Sequence, residues 1–178
     1  MAKLSPVQQK FILHWGEMGI RWGINRTVAQ IHALLFISPK PLNADDIVQA
    51  LDVARSNVSH SLKELQGWGI VKRVHVMGDS RDHFESMKEV WEMFRVVLDE
   101  RKKREIDPTL ALLRACVAEA EKDKETDEYT EQRLRDLHGF FQITMAWYGQ
   151  ISSWPAAALV RFVKLGDKAR KLLGIASD

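Results

Sequence analysis

Residues 52–85 read DVARSNVSHSLKELQGWGIVKRVHVMGDSRDHFE, and the fold turns on them. Val58, Leu62 and Leu65 recur at helical spacing, which predicts a helix over about 54–68 with one buried stripe. At ~100° per residue, Ser56, His60, Lys63 and Gly67 point the opposite way, with Asn57 and Ser59 beside them. Gly67 and Gly69 stop that helix. The strand-like run 70–77 (IVKRVHVM) follows, then a turn over Gly78, Asp79, Ser80 and Arg81, then DHFE. Residues 70–85 therefore predict a β-hairpin with a polar, partly basic tip.

Just upstream, Asn43 can cap a helix whose positive end suits Asp45 and Asp46. Ile47, Ala50 and Leu51 supply its buried side, and Asp52-Val53 breaks it. Helix, break, helix and basic hairpin, in that order, predict a winged helix-turn-helix. Such a unit lays its second helix in the DNA major groove and its hairpin alongside. The plainer alternative is a helical hairpin in an all-α bundle; a basic two-stranded ribbon directly after the second helix counts against it. One local weakness is Ala54, a poor residue for the N-cap position.

Outward from this block the chain reads as helix. Ser5-Pro6 has the form of an N-cap followed by Pro at the first helical position. Phe11, Trp15, Met18 and Trp22 predict one apolar stripe, while Gly16, Gly19 and Gly23 make the helix poor in isolation, so it needs a partner surface. Val28, Ile31, Leu34 and Leu35 predict the inner face of a second helix, ended before Pro39 and Pro41. After the hairpin, Ser86 and Glu89 have capping-box spacing for a long helix carrying Val90, Trp91, Phe94, Val97 and Leu98. The run RKKRE (101–105) is expected to end it, and Asp107-Pro108 to start another. Residues 119–128 read as a charged helix end and loop. From about 130 to 151 there are two adjoining stripes, Leu134, Leu137, Phe141, Met145, Tyr148 and Phe140, Ile143, Trp147, Ile151. A helix apolar on two faces has more than its own domain to bury against. Residues 156–175 predict a last amphipathic helix.

The fold class is thus mainly α with a small β-hairpin wing: a winged helix-turn-helix plus a helical dimerisation region. The expected division is 1–24, an N-terminal dimerisation helix; 25–86, the winged helix-turn-helix; and 87–178, a helical region for dimerisation and an effector.

Composition is compatible and sets limits. The 178 residues are 46% hydrophobic and 28% charged, as in a soluble globular protein. Net charge is only +2, but residues 55–81 hold five basic side chains (Arg55, Lys63, Lys72, Arg73, Arg81) against two acidic ones. The single Cys116 forms no internal disulfide, and the N-terminal stretch lacks the apolar run of a signal peptide, which predicts a cytoplasmic protein. No apolar run reaches the ~18 residues of a membrane span.

The outer face of 55–63 carries the chemistry. Ser56, Asn57, Ser59 and His60 are short donors and acceptors that let a helix approach base edges, and Asn can read adenine with two hydrogen bonds. Arg55 and Lys63 can reach phosphate or guanine, and Lys72 and Arg73 can add phosphate contacts. Arg81 suits a narrow minor groove, with Asp79 two residues earlier to hold its guanidinium. Trp15, Trp22, Trp91 and Trp147 are candidates for an aromatic cage around a quaternary ammonium effector. Packing in the core and dimer interface is the favoured reading of these rings. Cys116 is either a redox sensor or, more simply, a small buried hydrophobe. The six histidines show no ligand spacing, so no metal and no cofactor is expected. No catalytic motif is present: there is no Gly-rich phosphate loop, no G-x-S-x-G and no H-E-x-x-H.

INRTVAQIHALLFISPKPLNADDIVQALDVARSNVSHSLKELQGWGIVKRV and the following GDSRDHFE resemble the MarR superfamily of bacterial transcriptional regulators, particularly its GbsR-type branch. The resemblance covers residues 10–90; beyond that the chain matches only as helical continuation, and it is longer and richer in Trp than a minimal relative. It implies a homodimer on a double-stranded DNA operator of two related half-sites, with 55–63 in the major groove and Arg81 at the minor groove. Dimerisation would use the N-terminal helix and the segments from 130 onward, and a small-molecule effector would alter the spacing of the two reading helices. It implies no enzymatic activity. The rival from another class is a winged-helix protein-interaction adaptor that does not bind DNA, which the modest basic surplus keeps open.

Overall fold

The computed structural model describes residues 4–165, which fall into two compact units divided between Val97 and Leu98. The predicted helix beyond 165 lies outside the described residues.

In the first unit, α1 (Pro6–Arg21) starts with a full capping box: the Ser5 hydroxyl accepts from the Gln8 amide, and the Gln8 side chain accepts from Ser5 N–H. The buried line of α1 is Ile12, Gly16 and Gly19, one position on from the expected stripe at Phe11, Trp15 and Met18, which are only half-buried. The glycines are the reason. A Cβ on Gly19 would stand 2.5 Å from Ala29 Cβ, and one on Gly16 2.7 Å from Gln30 Cγ. Helix α2 (Arg26–Ile37) lies against this flat face, so backbone approach takes the place of side-chain interdigitation. Val28, Ile31, Leu34 and Leu35 are all buried, as their spacing predicts.

β1 (Leu42–Asn43) leads into α3 (Ala44–Leu51), where Asn43 Oδ1 accepts from the Asp45 and Asp46 amides and Asp46 answers to Asn43 N–H. Asp52, in the left-handed region at φ 52°, makes the break. α4 (Arg55–Gly67) follows without a side-chain cap at Ala54 and buries Val58, Ser61, Leu62 and Leu65. Full burial of each aliphatic side chain here is worth about 1.5–3 kcal/mol.

β2 (Val71–Val76) and β3 (Asp79–Ser86) are antiparallel, and β1 pairs with the other edge of β3, giving the order β1-β3-β2. Two expectations are corrected here. Only Met77 and Gly78 lie between the strands, with Gly78 at φ 82°, so Asp79–Arg81 belong to β3 and are not a turn. β1 went unread because two residues just after Pro41 carry no periodicity.

The long helix starts at Val90 and not at Ser86. Ser86 ends β3, and Glu89 supplies the cap, its carboxylate accepting from the Trp91 and Glu92 amides. α5 (Val90–Arg101) does not stop at the basic run: residues Lys102–Ile106 form a π-helical stretch that leads directly into α6 (Asp107–Ala120). The Asp107 amide donates to Lys102 O, five residues back, and Pro108 has no amide to donate. Widened turns absorb the proline where a break was expected.

The second unit, from Leu98, holds the end of α5, the π-helical stretch, α6, α7 (Glu128–Ser152) and α8 (Ala156–Lys164). α7 starts at an Asp127 cap that accepts from Thr130 N–H and packs along α6; the Tyr148 hydroxyl donates to Asp99 at 2.8 Å. Cys116, on α6, is a half-buried free thiol. No helix among the described residues is long and apolar enough to cross a membrane.

Candidate nucleic-acid interface

The side of α4 turned away from Val58, Leu62 and Leu65 is open: Arg55, Ser56, Asn57, Ser59, His60 and Lys63 are all exposed. The amphipathic pattern alone makes this so, because each apolar residue on α4 is committed to α2 and α3 behind it. Asn57 and His60 border a hollow that also touches Asn25 and Thr27 at the start of α2.

The wing completes a second, larger hollow of about 470 Å³ beside the same helix. Arg55, Ser59 and Lys63 line it from α4, Arg73 from β2, and Arg81 and Asp82 from β3, with Asp45 from α3. Helix and wing therefore share one cationic groove. Lys72 lies apart from it, paired across the hairpin with Glu85 at 2.9 Å, in line with their strand register.

Arg81 owes its position to an irregular ladder. Val74 faces His83 and Val76 faces Asp79, so His75 alone on β2 spans Ser80, Arg81 and Asp82 on β3. These two surplus residues bulge β3. Within the bulge Asp79 Oδ1 accepts from both the Arg81 amide (3.0 Å) and its Nε (2.9 Å), and Oδ2 takes Nη2 at 2.5 Å. Arg81 in turn holds the Asp79 carboxyl far below the usual carboxylate range, and Asp79 raises the Arg81 guanidinium. The Arg81 side chain stays 55% exposed despite this hold, so it is aimed without being covered.

Two further arginines of the groove are also paired. Arg55 donates to Asp45, and Arg73 donates to Asp82 at 3.2 Å. Exposed pairs of this type are worth only about 0–1 kcal/mol, so exchange for phosphate costs little. Spacing along the sequence did not show Asp45 facing Arg55; only the folded break between α3 and α4 brings residues ten apart together.

Trp15 and Trp22 meet edge to face with centroids 6.2 Å apart, and Phe11 lies tilted by 32° against Trp15 at 5.5 Å. Trp91 lies exposed on α5, and Trp147 lies exposed on α7 in the second unit. Among the described residues, no group of three or more His, Cys, Asp or Glu is arranged to hold a metal ion.

Residues 22–82 match the profile described as "MarR family", a span that runs from the end of α1 through the wing arginine. A solved structure described as the crystal structure of a transcriptional regulator superposes with a TM-score of 0.61 over 89% of this chain and 99% of its own, at 19% identity, a likeness that speaks for the fold. No curated protein matches the chain by sequence.

Proposed function

We propose that this chain, whose residues 22–82 match the MarR family model, is a winged helix-turn-helix regulator of that family, a group without catalytic activity, and acts as a homodimer reading a two-part DNA operator. One observation carries the proposal: the open polar face of α4 and the aimed guanidinium of Arg81 border a single cationic groove. In this reading α4 enters the major groove. Asn57 and His60 meet base edges there, with Ser56 and Ser59 on bases or the nearby backbone. Arg55, Lys63, Lys72 and Arg73 neutralise phosphate, and Arg81 reaches the minor groove. Residues 1–24 and the segments from 130 onward join the two copies, and half-sites lie about one helical turn, ~10 bp, apart. An effector that changes the separation of the two α4 helices would spoil simultaneous docking. The favoured role of Trp15, Trp22, Trp91 and Trp147 is packing in the core and dimer interface; Trp15 and Trp22, already in contact, are the pair on which an aromatic site for a cationic effector would be built.

Selection of bound sequences from a random duplex pool tests this. The expected result is a pseudo-palindromic motif, with the Asn57→Ala protein losing preference at one position in each half. A pool that stays unenriched, together with no binding to any duplex at low salt, would leave the adaptor reading in its place.

A further inference from the structure

His83 occupies an unusual place behind the wing. It is 6% exposed, on β3, opposite Asn43 of β1 on one side and Val74 of β2 on the other. Its Nδ1 lies 3.0 Å from the Arg81 carbonyl oxygen. Its Nε2 lies 3.5 Å from Asp79 Oδ2, the same oxygen that holds Arg81 Nη2. A carbonyl oxygen only accepts, so Nδ1 carries the hydrogen of that bond. In a neutral ring Nε2 is then a bare lone pair facing a carboxylate oxygen. A ring protonated on both nitrogens donates to both partners.

The direct cross-strand partners Asn43 and Val74 are uncharged. On β2, Lys72 and Arg73 are paired with Glu85 and Asp82 of β3, and His75 follows Val74. The ionisable residues of α2, which also packs on β3, are Arg26 and His32. From α3, Asp45 and Asp46 act on Arg81, with Asp45 Oδ2 at 4.0 Å from Arg81 Nη1. Asp79 is thus the carboxylate placed on the ring itself, and Arg81 the cation beyond it.

We propose that His83 is a positioning residue for Arg81, acting through Asp79, so that a second proton on its ring strengthens the hold of the wing on the duplex. The charge balance is direct. With a neutral ring, Asp79 and Arg81 cancel. With a charged ring the three groups carry one net positive charge, and Oδ2 is shared between two donors, which releases part of Arg81 towards phosphate. The inference rests on the assignment of Arg81 to DNA made above.

The test is the pH profile of operator binding by the full chain. Imidazole is the side chain that ordinarily changes charge between about pH 5 and 8. Between those limits the wild type should tighten roughly two- to five-fold more per wing than His83→Gln, with a salt slope steeper by up to about one phosphate. His60 and His75 are present in both proteins, so any contribution of theirs drops out of the difference. In an Asp79→Asn background the difference should vanish. Parallel profiles for wild type and His83→Gln, or an undiminished difference in the Asp79→Asn background, would overturn the inference. Should His83→Gln fold poorly, the ring resonances of His83 in the wild-type chain decide: they must move in step with affinity and lose that correspondence in Asp79→Asn. Unchanged binding by Arg81→Ala would defeat the wing assignment, while the Asp79-dependent ring shift would still report on the His83 contact.

Discussion

The two units of this chain solve burial differently. The first assembles a core of fifteen buried residues drawn from α1 to α5 and all three strands, from Ile12 to Met93. The second, between 98 and 165, buries only Leu113 and Ala120, and the 25 residues of α7 bury none. Yet α7 is no less apolar in pattern. Leu134, Phe141, Met145 and Tyr148 are half-buried, whereas Leu137 of the same stripe and Phe140, Ile143 and Trp147 of the adjoining one stand exposed. Amphipathicity predicts that a face will be buried without saying by what. In the first unit the chain supplies the cover itself, and in the second the proposed partner copy would supply it.

That contrast can be broken in several ways. Leu65→Ala removes a side chain that is 1% exposed and should cost about 2–5 kcal/mol in urea unfolding. A cost below 1 kcal/mol would deny the first unit a close-packed core.

Acid tests the same core through His32. Burial lowers its imidazole to about 4 from 6.5, and its Nε2 has no hydrogen-bond partner among the described residues. The folded chain therefore keeps this ring neutral where the unfolded chain takes up a proton. Stability present above about pH 6.5 is lost as pH falls towards about 4, on the order of 3 kcal/mol in all. His32→Leu should flatten that limb, as read by urea midpoints across the range; an unchanged limb would place the acid sensitivity elsewhere.

Joint replacement of Phe140 and Trp147 by Glu sharpens the other half of the contrast. Sedimentation should show self-association weakened at least about tenfold, equivalent to ~1.4 kcal/mol, with the unfolding of the first unit unaltered. Unchanged self-association would move the interface off this stripe. The smallest effect is a gain. Ala54→Ser supplies the hydroxyl that α4 lacks at its N-terminus and should raise stability by about 0.5–1 kcal/mol. No gain in urea midpoint would mean that water already serves those amides.

Much of the first unit could be read from residue order. Val28, Ile31, Leu34 and Leu35 mark α2 because their period matches the helix, and Asn43 with Asp46 marks the start of α3 because capping is local chemistry. The open face of α4 followed from the same periodicity. What escaped was non-local. The register of α1 depends on which surface Gly16 and Gly19 lie against, and glycine has no hydrophobic signature of its own. The start of β3 reads as a turn because Gly78, Asp79 and Ser80 are turn formers; only the pairing of Asp79 with Val76 shows that Asp79 and Ser80 belong to the strand. Asp45 beside Arg55 and His83 beside Asp79 likewise arise from folded proximity.

The surplus pair of residues in β3 makes the length of the wing independent of the domain that carries it. Below the bulge, Phe84 keeps its places opposite Arg73 and Leu42, which anchor the strand to the core whatever happens above. Trimming the excess would leave a straight ribbon on an intact scaffold, with no arm to extend a cation. Relatives could lengthen or shorten that arm to fit different duplex contours without re-engineering the hydrophobic interior.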